Sequence, residues 1–407
     1  MRQKVVIIGH GYTSRLGIIR SLSVLDCEIT VIAIVFRSWL GRFIRFQLGN
    51  PIDCHSKYVN RVFICRGGDE DGLIKLLLNR CTDSQQKVII IPDSDYSAAV
   101  VDKYQEIFKE SFLFPHILNS PGKVEYWMDK STQKNLAKSL GMNVAGGNVI
   151  RTSNQSYDLP EGLKYPCFTK PLATINGGKR YLKKCDDERA LRAVLDKFCQ
   201  SFNSEILVEE FKTIDTEYAV VGFSDGNRVI LPGIIKFIEN SKSHFGIARE
   251  GMILPVSGFE SLLKQFESFV LQIGFWGLFD IDFYESDGKF YFSELNLRFG
   301  GSGYAYTAMG VNLPVMYVRS ARNEEIKNMQ EEVTGEASYV NERMCMDDYL
   351  QNYITEKEFR AIIAQRDIRF IYDESDPVPY RQMNREFQIL KMKRLRLKII
   401  RKLLHRG

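Results

Sequence analysis

The 407-residue chain contains no run approaching the roughly 20 continuous apolar residues that a membrane span needs. It has no signal-peptide cleavage pattern, and its start, Met1-Arg2-Gln3-Lys4-Val5-Val6-Ile7-Ile8-Gly9, reads as a first strand. Its eight cysteines are scattered, with no CxxC and no histidine at ligand spacing, which predicts reduced thiols in a cytoplasmic protein and no zinc site. There is no internal repeat. No Ser/His/Asp or Cys/His arrangement points to covalent catalysis, and no His-Arg-Asp or Asp-Phe-Gly points to a protein kinase. Hydrophobic residues make up 44% and charged residues 26%, which excludes a wholly disordered chain.

What is present is organised in blocks. A chain of this length exceeds what one hydrophobic core normally serves, so several domains or lobes are expected. Residues 4–9, 28–35, 61–65 and 87–92 read as strands, and 13–24 and 71–79 as helices between them. That alternation predicts a parallel, Rossmann-like sheet. The turn Gly9-His10-Gly11 with Gly17 has the wrong spacing for a dinucleotide fingerprint, and the second strand ends at Phe36-Arg37 with no acid for a ribose. The turn Pro92-Asp93-Ser94-Asp95 lies where open α/β sheets place ligands, and it equally fits a helix N-cap. A helix over 129–140 ending at Gly141 follows, then a polar boundary over 151–162. A small α/β region comes next, with strands at 167–171 and 206–211 around a helix at 186–200. Longer strands are expected at 217–222, 228–238, 277–284 and 289–294, with Ser286-Asp287-Gly288 as a hairpin turn.

The strongest chemical pattern is Asp280-Ile281-Asp282-Phe283, the hairpin, and Ser293-Glu294-Leu295-Asn296-Leu297-Arg298. Alternate residues of a strand share a face, so the hairpin would bring Asp282 beside Glu294 with Asn296 next to them. Two carboxylates and an amide oxygen suit Mg²⁺ when phosphates supply the remaining ligands, with Mn²⁺ as an alternative. Arg298, two residues on, is a fixed donor for a phosphoryl group or carboxylate, and it leads into Gly300-Gly301-Ser302-Gly303, expected as a flexible loop. A second set is basic. Lys130 opens a helix, and Lys170 ends a strand before the loop containing Gly177 and Gly178, placed to meet a phosphate. Third, Val208-Glu209-Glu210-Phe211 followed by Glu217 could put an acid at an adenine or a ribose, or could simply end a strand in water. Arg249 could hold a substrate carboxylate or sit idle at the surface, and His244 could accept a proton or be structural.

In this order, Asp129-Lys130, Thr169-Lys170-Pro171, Gly177-Gly178, Val208-Glu209-Glu210-Phe211 with Glu217, and Asp282-Phe283 with Glu294-Leu295-Asn296-Leu297-Arg298 resemble the ATP-grasp superfamily over about residues 120–320. The resemblance implies an α/β (α+β) fold. Residues 1–120 would be a Rossmann-like pre-ATP-grasp domain and 121–325 the ATP-grasp domain, with its lid lobe at about 150–212. A C-terminal extension would cover 326–380. It also implies roles. Lys130 and Lys170 would touch ATP phosphates under the Gly177-Gly178 flap. Glu209, Glu210 and Phe211 would form the adenine hinge, mostly through backbone groups, and Glu217 would take the ribose. Asp282, Glu294 and Asn296 would hold Mg²⁺, and Arg298 would stabilise the transferred group. The implied activity is ATP-dependent ligation of a small-molecule carboxylate to an amine through an acyl phosphate, with a non-catalytic ATP-binding regulator as the alternative. Val5–Gly9, residues 222–255 and the C-terminal region are similar to D-aspartate ligase-like proteins.

Residues 381–406 carry ten Lys/Arg and one acid within a chain of net charge +5, so the body is mildly acidic. Apolar residues at Met392, Leu395, Ile399, Ile400, Leu403 and Leu404 make 381–407 a basic amphipathic helix. It suits peripheral contact with an anionic membrane or packing on the acidic body. No aromatic interleaving points to nucleic acid.

Overall fold

The computed structural model describes residues 2–36, 51–118, 120, 122–152, 156–172, 178–202, 204–244 and 246–404, with backbone alone at 178–179 and 395–404. The first sheet has five parallel strands in the order Val59–Arg66, Cys27–Val35, Gln3–Gly9, Val88–Pro92, Phe112–Leu113. Its central strands are continuous apolar runs because helices cover both faces; Val5, Ile7 and Ile8 are fully buried. Strand order reverses between Gln3–Gly9 and Val88–Pro92, where such sheets form a ligand crevice. Here that crevice is filled. Asp93 packs so closely on Gly9 that a Cβ there would lie 1.6 Å from its Oδ1. Buried Arg15 sits between Asp53, at 2.7 Å, and Asp93, at 3.4 Å. Gly9 is thus required by the close approach of Asp93.

The lid is a four-stranded sheet in the order Lys183–Cys185, Cys167–Pro171, Glu205–Glu210, Gly147–Arg151, backed by the helix Glu188–Ser201. That helix starts at Asp187, whose carboxylate caps the Ala190 amide. Gly178 opens a 3₁₀ turn, Gly178–Tyr181, whereas Gly177 lies outside the described residues.

The third sheet carries Asp280, Asp282, Glu294 and Asn296. Its path runs Ile368–Arg369, Ala337–Val340, Ala248–Leu254, Ile234–Asn240, Thr216–Asp225, Phe275–Ser286, Lys289–Asn296, Asn143–Val144. The hairpin turn forms where the sequence places it, with Asp287 and Gly288 both at positive φ, 51° and 68°. The strand expected over 228–238 is broken into Val229–Ile230 and Ile234–Asn240. Pro232 between them has no N–H to give to a ladder. The stretch expected as a polar extension supplies the strands Ala337–Val340 and Ile368–Arg369 to this sheet.

The basic helix begins at Val378 and runs to Leu404. Met383 and Phe387 are core residues, Glu386 binds Arg343 at 2.9 Å, and Lys391 binds Glu356 at 3.2 Å. Residues 383–391 are therefore docked on the body, which was one of the two expectations for this segment. Among the described residues no helix is long and apolar enough to cross a membrane. Near the other end of the chain, buried Arg20 donates to the carbonyls of Phe370 and Ile371 and binds Asp376 at 3.2 Å.

Candidate active site

The hairpin brings the expected acids together, with a β-bulge beside Asp282 shifting the turn's register by one residue. Asp282 lies opposite Glu294 and Asp280 opposite Asn296. Asn296 Nδ2 donates to Asp282 Oδ2 at 3.3 Å. Arg298 continues the same face and donates to Asp280 at 2.9 Å and to Asp95 at 3.2 Å. Burial pushes both Asp280 and Asp282 up, Asp282 further through the neighbouring Asp280 charge, while Arg298 opposes both shifts. Asp280 Oδ1 is buried without a hydrogen-bond partner. The carboxylate and amide oxygens gathered here are donors that fit a hard divalent cation such as Mg²⁺. Among the described residues no three His, Cys, Asp or Glu side chains form a self-sufficient metal cluster. Asp282, Glu294 and Asn296 would therefore need phosphate oxygens to complete the shell.

Gly300 serves packing. A Cβ there would meet Val221 at 2.5 Å and the Asp280 carboxyl carbon at 2.7 Å, and one on Gly303 would meet the Phe299 ring at 2.5 Å. Of the glycines in this expected loop, Gly300 is the one that passes close to the acid cluster, while a Cβ on Gly301 would meet nothing within 4 Å.

Facing the hairpin is the helix Lys130–Ser139, whose N-cap Asp129 accepts from the Thr132 amide at 2.8 Å. Lys130 at its first position is ion-paired with Glu294. Lys134, one turn on, is ion-paired with Glu209, and Lys170 binds the other oxygen of Glu209 at 2.8 Å. Burial pushes Lys134 down to about 6 and Lys170 to about 8, with neighbouring lysines adding to both shifts and Glu217 opposing that of Lys170. Lys130 is also lowered by burial. Gln133 anchors this helix. Its amide donates to Leu295 O at 2.7 Å and accepts from Leu295 N at 2.9 Å, between Glu294 and Asn296. A cavity of about 340 Å³ opens here, lined by Asp95, Asp129, Lys130, Glu205, Glu294 and Asn296. The first domain, the lid and the hairpin all contribute to it.

The hinge is less simple than expected. Glu209 turns its side chain inward to the two lysines, only 2% exposed. Glu210 reaches Lys212 at 3.1 Å. The Glu210 and Phe211 amides donate to Gly146 O and Pro166 O, so these two donors are already taken by the lid's own backbone. Glu217 accepts a hydrogen bond from Asn240. Arg249 corrects a further expectation. It lies on Ala248–Leu254, three strands from Asp282 along the sheet, 6% exposed and engaged by Glu250 at 2.8 Å and Asp348 at 3.1 Å. Its fork is filled from within, because the carboxylates that neutralise it are buried with it. His244 binds Asp347 at 2.9 Å, in the same region.

Gln133 and Lys134 join this cluster and were passed over by the sequence reading, whereas Asp280 stood in the quoted pattern without a role of its own. The one available signal was spacing: Gln133 and Lys134 lie three and four residues after Lys130, on its face of the helix.

No family model matches the chain. It is 22% identical over 212 residues to the carbamoyl phosphate synthase large chain of Gemmatimonas aurantiaca, a match covering 51% of this chain and 19% of that one. The chain thus spans about a fifth of the length of the curated relatives it matches. Its structure is similar to N5-carboxyaminoimidazole synthetase from Staphylococcus aureus complexed with ADP. The TM-score is 0.62 at 16% identity, covering 89% of this chain and 87% of that one. It is also similar to L-amino acid ligase from Bacillus licheniformis, with TM-score 0.60 at 17% identity, covering 83% and 79%. With a parallel first domain, an antiparallel lid and an acid-bearing hairpin sheet, the chain has the ATP-grasp fold.

Proposed function

We propose that this chain is an ATP-dependent carboxylate–amine ligase. The observation that carries the proposal is the convergence of Lys130, Lys134, Lys170, Asp282, Glu294, Asn296 and Arg298 around one cleft. The lysines would meet the ATP phosphates, and Glu217 the ribose. Asp282, Glu294 and Asn296 would hold Mg²⁺, which supplies charge neutralisation at the phosphates. The γ-phosphoryl group passes to a substrate carboxylate oxygen, giving an acyl phosphate and ADP. An amine then attacks the acyl carbon, and the bond from that carbon to the phosphate oxygen breaks. Arg298, fixed by Asp95 and Asp280, stabilises charge on the transferred group, and no protein nucleophile is needed.

An amino acid or cell-envelope precursor as substrate, in the manner of D-aspartate ligase-like proteins, is the finer reading. It rests on the N-terminal strand, residues 222–255 and the C-terminal region. Peripheral membrane contact, if made, would fall to residues 395–407, since 383–391 are docked; deleting 395–407 would then abolish sedimentation with anionic vesicles.

The test is ADP and phosphate release from Mg²⁺-ATP across amino acids, dipeptides and cell-wall precursors, with Glu294→Gln as control. Release that requires both a carboxylate and an amine, and is lost in the variant, supports the ligase. ATP binding without release under any pairing supports a non-catalytic ATP-binding regulator. No binding at all overturns both.

A further inference from the structure

The acids and bases of this site neutralise one another. Lys130 is paired with Glu294, and both Lys134 and Lys170 with Glu209. Lys130 also sits at the first position of its helix, where the helix dipole opposes a cation, and its pairing with Glu294 offsets part of that cost.

We infer that Lys130 and Glu294 serve as stand-ins for each other's ligands, so that the site accepts nucleotide and divalent cation as one complex and rejects either alone. This rests on the nucleotide-and-metal assignment above. Free ATP that draws Lys130 to its phosphates leaves Glu294 uncovered beside Asp282 and facing the polyphosphate. A cation that draws Glu294 to itself leaves Lys130 uncovered beside a double positive charge. The complex satisfies both at once: Lys130 exchanges a carboxylate for a phosphate, and Glu294 exchanges an ammonium for a metal. Each of the two residues keeps one counter-charge throughout, and binding of each component is coupled to the other. Glu294 thereby acts as a selectivity residue even before a metal arrives.

The test is calorimetric titration of the full chain with the β,γ-imido analogue of ATP, with Mg²⁺ and in EDTA. The variants are Glu294→Gln, Lys130→Met and the double variant, with thermal melting to establish folding. The expected result runs against a simple ligand loss. Glu294→Gln tightens metal-free binding by roughly five- to tenfold, because Lys130 is released. The gain disappears in the Lys130→Met background. Conversely, Lys130→Met tightens Mn²⁺ binding without nucleotide, read by electron paramagnetic resonance. Should Lys130→Met fail to fold, Lys130→Gln replaces it. Unchanged or weaker metal-free binding in Glu294→Gln overturns the inference, as does an equal gain in the Lys130→Met background, which would mark plain charge removal. Wild-type chain that binds no analogue even with Mg²⁺ overturns the nucleotide assignment itself, a separate and recognisable failure.

Discussion

Asp95 begins the helix that follows the fourth strand of the first domain, and it accepts a hydrogen bond from Arg298 Nε at 3.2 Å, across 203 residues of sequence. The first domain therefore holds the side chain assigned to the transferred phosphoryl group. Arg298→Ala is expected to lower kcat about 10²–10³-fold. Asp95→Asn is expected to cause a smaller loss of the same kind, with nucleotide affinity nearly unchanged in both. Steady-state kinetics on a responsive substrate pair, alongside calorimetric nucleotide binding, checks this. A selective fall in nucleotide affinity would count against it.

Lys134 and Lys170 titrate low, at about 6 and about 8, and face Lys130, Glu209 and, for Lys170, Glu217. Phosphates would favour their charged forms. Nucleotide binding near pH 7.5 should take up protons, and affinity should rise as pH falls from 8.5 to 6.5. Calorimetry in two buffers of different ionisation enthalpy measures the uptake. The same shift acts on stability with a definite sign. Because burial holds Lys134 below the ordinary lysine value of 10.5, the unfolded chain binds this proton more readily than the folded chain, so this group's contribution to stability rises with pH toward 10.5.

Glu209→Gln removes the shared partner of two lysines from a nearly closed site. It should destabilise the nucleotide-free chain by about 3 kcal/mol, with part of that recovered by Mg²⁺-ADP as phosphates replace the lost carboxylate. Thermal melting with and without nucleotide reads both. Equal melting temperatures for wild type and variant would mean the pairs contribute little.

Gln133→Leu leaves the backbone N–H and C=O of Leu295 unsatisfied between two proposed metal ligands. A loss of about 2–4 kcal/mol follows if each group costs its desolvation. Mn²⁺-nucleotide affinity should fall as well, since Glu294 and Asn296 lose their backing. Denaturant titration and binding measure the two effects separately.

Gly300→Ala places a methyl group against the Asp280 carboxyl and Val221. The overpacking should cost about 1–3 kcal/mol. It should also weaken the hold of Asp280 on Arg298, so turnover should fall along with melting temperature.

The two strands and their turn were legible from alternation and from Asp287-Gly288, but the one-residue bulge beside Asp282 that puts it opposite Glu294 was not. The parallel first domain was legible from apolar runs spaced by helices. Lys134 and Gln133 were not, since a lysine and a glutamine in a polar helix look alike whether they face solvent or a neighbouring strand. Glu209 shows the same limit. Sequence marks it as an acid ending a strand, but only the approach of Lys134 and Lys170 from other elements decides that it points inward. Arg249 misled because its partner Asp348 lies 99 residues away. The interrupted strand at Pro232 was readable in principle, since proline cannot serve a central ladder.

Arg20 belongs to the first helix, yet its guanidinium is completed by Phe370, Ile371 and Asp376. A nascent chain emerging from the ribosome would present this helix more than three hundred residues before those partners exist. Until they arrive, Arg20 must stay hydrated, since closing apolar surface over an unpaired guanidinium is strongly unfavourable. Final packing of this helix therefore requires residues 370–376, so the first domain's seam closes only with a segment far along the chain.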